Sequence, residues 1–492
     1  MTKKWDSIVI GAGLAGVATA LRLRKKGHSV LVLERNPSFG GKLSEWSFEG
    51  YRWDRGPSLF TLPKQVDELF ELCGKDPRLY FNYHKVEECC HYYFSDDTEF
   101  LFVANPDKRN ESLLKHFNKK DGQSVIDYIA ESKETYENMG DFFVDNAQYG
   151  PKNILDKELL KRYPSLMSPK LVRSLNAFNE KNFDDPNLVQ LFNRYATYNG
   201  SNPFQMSGLY SMIPHLEMND GTYFPTEGMR SIVASVYDLA VEEGVVFLFD
   251  QTRINAKQLP NDSFEISSNG EILRAANLIS GIDIVPFYKN VLKDNKLAKK
   301  YTAQERSTSA LVYYWAVEKI IPELKLHNVF FSKDYKAEFE KIFKEKDLIT
   351  EPTIYVHISS VVTPSDAPEN GQNWFVMLNA PAGKEVSDKQ REALKEYIIQ
   401  VIHKRLGVDI RPFIRHEKYW DAQRIDEATG GYLGSLYGAA SNSKVAALTR
   451  HGNVSKKYKN LYFCGGTVHP GGGIPLVLKS AKIVSQLMDK EK

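Results

Sequence analysis

The opening of the chain reads as strand, glycine turn, helix and second strand, and no other stretch restricts the fold as much. Ser7-Ile8-Val9-Ile10 is a short β-branched run of the kind buried in parallel sheets, and it ends in Gly11-Ala12-Gly13-Leu14-Ala15-Gly16. Leu14, Val17, Ala18 and Leu21 then recur at i, i+3, i+4 and i+7, the spacing of an amphipathic helix, and Gly27 is placed to end it. Val30 to Leu33 supply the next strand, and Glu34 closes it. In such a unit Gly11 permits the tight turn, Gly13 lets the backbone approach a pyrophosphate, and Gly16 allows close helix–strand packing. The helix start at Leu14 and Ala15 offers N–H groups and positive dipole to the phosphates. Glu34 stands 23 positions after Gly11, where a carboxylate accepts from a ribose hydroxyl. The unit binds a dinucleotide.

Which dinucleotide depends on more distant residues. Arg35, next to Glu34, reads as a ligand for the 2′-phosphate of NADP, but two further elements point to a flavin. One is Gly40-Gly41-Lys42, with Trp53-Asp54-Arg55-Gly56-Pro57-Ser58 beyond it. The other is the C-terminal run from Asn460 to Pro475, which contains Gly465, Gly466, His469, Gly472, Gly473 and Ile474. It reads as strand, glycine loop and helix, with Pro475 in the helix's first turn and the preceding glycines exposing N–H groups to a ring system.

Taken together, GAGLAG, GGK, WDRGPSLF, Tyr223-Phe-Pro-Thr-Glu-Gly228-Met229 and GGTVHPGGGIP resemble the bacterial-type carotenoid desaturases, the phytoene desaturase family of FAD enzymes. The run GPSLFTLP and the following Val66-Asp67-Glu68-Leu69-Phe70 resemble the branch that 3,4-desaturates hydroxylated carotenoids. The likeness is strongest at the two ends and faint between about 105 and 200. Two departures stand out. Ser95-Asp96-Asp97-Thr98 replaces an Asp-Gly turn, and Leu476 follows Ile-Pro where a small residue is common. The resemblance implies an α/β fold of flavin amine oxidase type, with a discontinuous Rossmann-type FAD-binding domain and an α+β substrate domain. It also implies dehydrogenation of a long polyene: hydride leaves an allylic carbon for flavin N5, and a proton leaves the neighbouring carbon. The flavin carries that chemistry and no strong side-chain base is required.

Composition agrees with a folded enzyme of two or three domains. The chain has 492 residues, 42% hydrophobic and 26% charged, and a formal charge of +2, too balanced for a nucleic acid partner. Residues 229 to 243 read as a helix, and Val245 to Phe249, Ser263 to Ser267 and Ala276 to Ser280 as strands that return the chain to the nucleotide fold. The FAD-binding domain is therefore expected over 1–80, 222–290 and 440–492, and the substrate domain over 81–221 and 291–439. Four cysteines with no CxxC pair, no metal-ligand cluster and no readable signal segment lead to an expected cytosolic location and no metal. No apolar run spans a bilayer, yet a carotenoid dissolves in one, so peripheral membrane association is expected. Phe204, Met206, Leu209, Tyr210, Met212 and Ile213 form the candidate docking surface, or else part of the substrate domain's core. With a single dinucleotide motif, the electrons must leave for an external acceptor, oxygen or a quinone.

Several residues admit two readings. His469 is an acid–base group or a loop-fixing residue. Asp54 and Arg55 shape the cavity near the ring or form a local ion pair. Glu227 reads better as a helix-start carboxylate than as an acid catalyst, Cys89 and Cys90 better as packing residues than as a redox pair, and Tyr313-Tyr314-Trp315 better as core than as tunnel lining. Flavin amine oxidases and protoporphyrinogen oxidases share the nucleotide end and are the alternative enzymes. A non-enzymatic prenyl-protein escort would be expected to lose the glycines that are intact here.

Overall fold

The computed structural model of the chain describes residues 4–140, 172–443 and 450–490. Two seven-stranded sheets organise them. In the first, β1 (Lys4–Ile10) lies between β2 (Val30–Leu33) and β12 (Glu271–Ser280), parallel to both. β9 (Val246–Leu248) adds to β2, and β18 (Leu461–Phe463) adds in parallel to β12. An antiparallel extension, β10 (Ile254–Gln258) and β11 (Phe264–Ser268), completes it. The strands buried on both faces are the Val/Ile/Leu runs. Val9, Val30, Val32 and Ile279 meet the first helix (Leu14–Lys25), the central helix (Ser231–Glu242) and the C-terminal helix (Ile474–Lys490), while Ile8, Ile10, Leu31 and Leu33 meet Phe287 and Tyr288. Strand β12 starts earlier than the sequence pattern suggests. Asn269 and Gly270 both take positive φ and turn β11 into Glu271, so the hairpin lengthens the strand by five residues.

The second sheet runs β17 (Ile414–Trp420), β13 (Ser309–Val317), β16 (Gln372–Ala380), β15 (Ile354–Ile358), β14 (His327–Phe330), β6 (Glu88–Tyr93) and β7 (Glu99–Val103), antiparallel except where β14 meets β6. Its two faces divide by the two-residue period of a strand. Tyr313, Trp315, Val356 and Trp374 face the outer helix (Asp388–Leu406), whereas Tyr314, Phe375 and Tyr355 face inward with Trp53 and Tyr51. The expectation for Tyr313 to Trp315 therefore splits: Tyr313 and Trp315 are outer core, and Tyr314 lies on the inner face. At the β6–β7 turn Asp97 itself takes φ +72°, the left-handed conformation that favours glycine.

A hairpin joins the two halves. β3 (Glu45–Phe48) and β4 (Tyr51–Asp54) carry Trp46 and Trp53, stacked at 4.7 Å, onto the inner face of the second sheet, and β5 (Tyr83–Lys85) pairs with β8 (Tyr223–Pro225). Arg52 grips Asp366 through two 2.7 Å bonds and reaches Asp54 at 3.1 Å.

The docking surface expected around residue 210 is not a free apolar face. Met206 and Leu209 are buried, and Phe204 and Ile213 lie against the aromatic core around Phe178 and Phe192, because the short turn Gly208–Met212 folds them inward. The stretch 141–171 of the same insert lies outside the described residues. Among the described residues no helix is long and apolar enough to cross a membrane.

Helix and strand meet closely at Gly16, where an added Cβ would lie 2.0 Å from the Gly11 carbonyl oxygen. Gly16→Ala is expected to force helix and strand apart at a cost of about 3 kcal/mol, the upper range for overpacking, and to lower the urea midpoint of folded protein. An unchanged midpoint would mean that the helix start yields without cost.

Candidate functional site

Backbone meets backbone at the end of β1. Gly11 takes φ +104°, the first helix begins at Leu14 with no side chain capping it, and no acidic residue sits in its first turn. Its positive end is therefore open to an anion. Glu34 reaches back to this loop: one carboxylate oxygen accepts from Ala12 N–H at 2.7 Å and the other from Asn36 N–H at 2.9 Å. Arg35 turns away, donating to the carbonyls of Asp426 and Glu427 at 3.4 and 2.6 Å, so its guanidinium is committed to a neighbouring helix end and not held at the loop for a 2′-phosphate.

Three further segments converge here. Gly40 N–H bonds to the Ala12 carbonyl at 2.9 Å, and a Cβ on Gly41 would lie 3.3 Å from Gly13 Cα. Gly56 presses on the Lys42 carbonyl, where a Cβ would sit at 1.8 Å, and so brings Pro57 and Ser58 to the same place. Lys42 Nζ donates to the carbonyls of Ser435 and Leu436 at 3.0 and 2.5 Å, and burial lowers its pKa to about 8 against the pull of Asp283. From the C-terminal run, Gly465 takes φ +110° and lies against Ala15 of the first helix, Gly466 abuts Gly472, and the C-terminal helix starts at Ile474-Pro475 after Gly473. Leu476 leans over Gly471, which gives the second departure from the family pattern a definite place.

The ambiguous side chains fall into place as follows. Asp54 does not pair with Arg55. Its carboxylate accepts from Met229 N–H (3.0 Å) and Arg230 N–H (3.2 Å) and pairs with Arg52, which makes it the carboxylate at the start of the central helix, while Glu227 is exposed. Burial pushes the Asp54 carboxyl up, opposed by Arg52 and the two N–H groups. Arg55 lies over the Trp420 ring at 4.8 Å, with burial drawing its pKa down. His469 is buried, and its backbone is held three times: its N–H on the His451 carbonyl (2.8 Å), and its carbonyl on Asn453 Nδ2 (2.8 Å) and Ser480 Oγ (3.0 Å). Cys89 and Cys90 are buried in β6, and burial pushes both thiols up to about 12, so both stay protonated and inert at neutral pH.

Some residues at the site had no readable signal. Arg306 bridges Asp283 (2.5 Å) and Ser435 (2.8 Å), a buried pair that fixes the segment beneath Lys42. Arg450, half-buried, donates to three carbonyls, those of Tyr437, Gly466 and Ala439, at 3.2, 3.2 and 3.0 Å. Each is a lone arginine in an unpatterned stretch, and only the return of the chain brings it here.

This site, a glycine-lined dinucleotide cradle roofed by a mostly antiparallel sheet, defines a flavin-type oxidoreductase. The sequence matches the model of the family described as flavin containing amine oxidoreductase over residues 14–489. It is 42% identical to a 1-hydroxycarotenoid 3,4-desaturase from Flavobacterium sp. (strain P99-3), covering 98% of both chains, and 28% identical to a phytoene desaturase from Fusarium fujikuroi, covering 99% of this chain and 90% of that one. In fold it is similar to putrescine oxidase, with a TM-score of 0.66 at 14% identity over 100% of this chain and 99% of the other. The chain belongs to the flavin-containing amine oxidoreductases and, among them, to the carotenoid desaturases. It is an FAD-dependent oxidoreductase.

The cradle fits this cofactor. A Cβ on Gly13 would meet only Gly41 Cα, at 4.0 Å, so the missing side chain leaves room that the protein itself does not need. Gly13→Val should therefore fold with an ordinary urea midpoint and purify without the flavin absorbance band; retention of one FAD per chain would remove Gly13 from the phosphate site. Glu34→Ala deletes a charged acceptor, worth about 1.5 to 3 kcal/mol. FAD titration of the apo-protein should show about ten- to a hundred-fold weaker binding, and equal affinity would place the ribose elsewhere.

Proposed function

We propose that the enzyme desaturates an acyclic 1-hydroxycarotenoid at its 3,4 bond. The observation that carries this reading is the 42% identity to a 1-hydroxycarotenoid 3,4-desaturase along 98% of both sequences. The inner face of the second sheet supports it, since Tyr314, Phe375, Tyr355 and Val312 offer a long aromatic and aliphatic wall suited to a polyene. Gly11 to Gly16, Glu34, Gly41, Lys42, Gly56 to Ser58 and Gly465 to Pro475 are the residues that would hold FAD. When bound, FAD supplies the hydride-accepting ring that no side chain provides.

The chain's own groups do the rest. The positive end of the C-terminal helix, with the half-buried Arg450 guanidinium bonded to its glycine loop, favours negative charge at that edge of the site. The inner sheet face excludes water and sets the polyene's direction. The proton lost with the hydride leaves a carbon whose acidity rises as positive charge spreads along the polyene, so a positioned strong base is not needed. Partners follow from the substrate: the enzyme takes it from a membrane surface without spanning the bilayer, and passes two electrons per new double bond to oxygen or a quinone.

Anaerobic mixing of oxidised holoenzyme with an acyclic 1-hydroxycarotenoid should bleach the flavin as one longer polyene chromophore forms per flavin, without NAD(P). Flavin bleaching by amines and not by polyenes would replace this reading with amine oxidation. His469→Ala should slow the step less than about tenfold if the residue only fixes its loop, whereas a loss of about four orders of magnitude would make it an essential acid–base group. In liposome flotation at moderate salt the protein should rise with the vesicles; full activity on liposome-dissolved carotenoid by protein that stays wholly in the aqueous fraction would rule out stable docking.

A further inference from the structure

Two buried histidines lie on the inner face of the second sheet, each with a ring nitrogen that the fold leaves unbonded. His327 in β14 and His357 in β15 are direct cross-strand partners, their ring centroids 5.2 Å apart. By strand alternation they share the inner face with Tyr355, while Val356 and Ile358 face the outer helix. Both are 3% exposed, and among the described residues neither Nε2 atom has a hydrogen-bond partner. An unpartnered polar atom at such depth requires an explanation, because leaving it so costs about 1 to 3 kcal/mol.

A hydrogen-bond chain ties the pair to the cofactor segment. Tyr355 Oη lies 2.7 Å from His327 Nδ1 and 2.7 Å from Ser58 Oγ, and Ser58 follows the Gly56-Pro57 step that presses on Lys42. The surroundings are apolar and aromatic, with Phe224 and Phe375 at 5.8 and 6.3 Å from the His357 ring. Burial holds both imidazoles well below their ordinary pKa, His357 at about 3, with the more distant Arg194 and Arg52 acting in the same sense. Both are neutral, so each ring offers one donor and one acceptor.

The geometry points to His327 and His357 as the subsite that binds the substrate's hydroxyl group. This assignment rests on the proposed 1-hydroxycarotenoid reading and gives it a specificity determinant. An alcohol both donates and accepts one hydrogen bond, which two neutral imidazoles satisfy together. With His327 Nδ1–H donating to Tyr355 and Tyr355 donating to Ser58, His327 Nε2 accepts the hydroxyl proton while His357 Nε2–H donates to its oxygen. The two rings lie 5.2 Å apart, centroid to centroid, side by side on one face of the sheet. An alkylammonium group brings donors and a charge but no acceptor, and among the described residues no carboxylate bonds to either ring to receive it. In a 1-hydroxy-3,4-desaturation only one carbon separates the hydroxyl carbon from the first reacting carbon, so the hydroxyl must be held close to the flavin-binding residues, as Ser58 and its neighbours are. Tyr355 and Ser58 are positioning residues that fix the tautomer of His327.

The test compares wild-type holoenzyme with His357→Phe, His327→Leu and Tyr355→Phe on a matched pair of acyclic carotenoids that differ only in the tertiary hydroxyl. The wild type should favour the hydroxylated polyene by at least about tenfold in kcat/KM. His357→Phe and His327→Leu should bring that ratio close to one by losing activity on the hydroxylated substrate alone, with flavin content unchanged, and Tyr355→Phe should lower the ratio part of the way. Quenching of tryptophan fluorescence by each polyene, read without turnover, should show the same loss of discrimination in binding. An unchanged ratio in a flavin-containing histidine variant, or an equal fall on both substrates, overturns the assignment. If the histidine variants yield no folded flavoprotein, Tyr355→Phe decides: a lowered ratio supports the subsite and an unchanged one overturns it. Wild-type enzyme that turns over neither polyene overturns the substrate reading itself, whereas equal turnover of both leaves that enzyme class standing and overturns only the histidine subsite.

Discussion

The contact of Gly16 with the Gly11 carbonyl sets the rest of the molecule in place. A helix pressed that closely onto a strand end fixes the direction of its first N–H groups, and every other segment of the cradle is referred to them. Gly41 rests on Gly13, Gly465 on the first turn at Ala15, and Gly56 on the Lys42 carbonyl. The floor of the site is therefore built of main chain against main chain. Its polar character comes from peptide groups and helix ends, and the few side chains among them, Lys42, Arg306 and Arg450, are themselves bound to carbonyls or to a buried aspartate.

The opposite wall obeys a different logic. Its strands present mainly aromatic and aliphatic side chains, and the Ser58–Tyr355–His327 line and the neighbouring His357 bring polar atoms among them. Between floor and wall stands the β3–β4 hairpin, where Arg52 and Asp54 act as a clamp. Asp54 accepts from the N–H groups at the start of the central helix while Arg52 holds Asp366 of the second half. One buried ion pair thus fixes the spacing between a main-chain floor and a side-chain wall.

The floor was largely legible in the sequence because its glycines act through local geometry: a turn, a close approach and a helix start each require a particular residue at a particular spacing. The wall was not. Its β-period is readable, but which of Tyr313 and Tyr314 faces inward depends on a partner strand some sixty residues away, and the pairing of His327 with His357 depends on register alone. Of the two readings of Asp54, the local ion pair with Arg55 does not hold, since Arg55 lies over Trp420 while Arg52, two residues back on the same strand, shares the face of Asp54 and pairs with it. The Asn269-Gly270 turn carried a plain hairpin signal that extended β12, and the apolar cluster near residue 210 illustrates the reverse case, in which composition suggests a surface that tertiary packing has used for core.

Strand β13 carries a consequence for how such an enzyme diversifies. Its residues alternate between the outer helix and the inner face, with Tyr313 and Trp315 on one side and Val312, Tyr314 and Ala316 on the other. Two independent records are thus interleaved in one ribbon. Drift at the even-numbered positions reshapes the inner face while the odd-numbered ones keep the sheet anchored, so a lineage that changes what this face presents need not renegotiate its foldedness at each step.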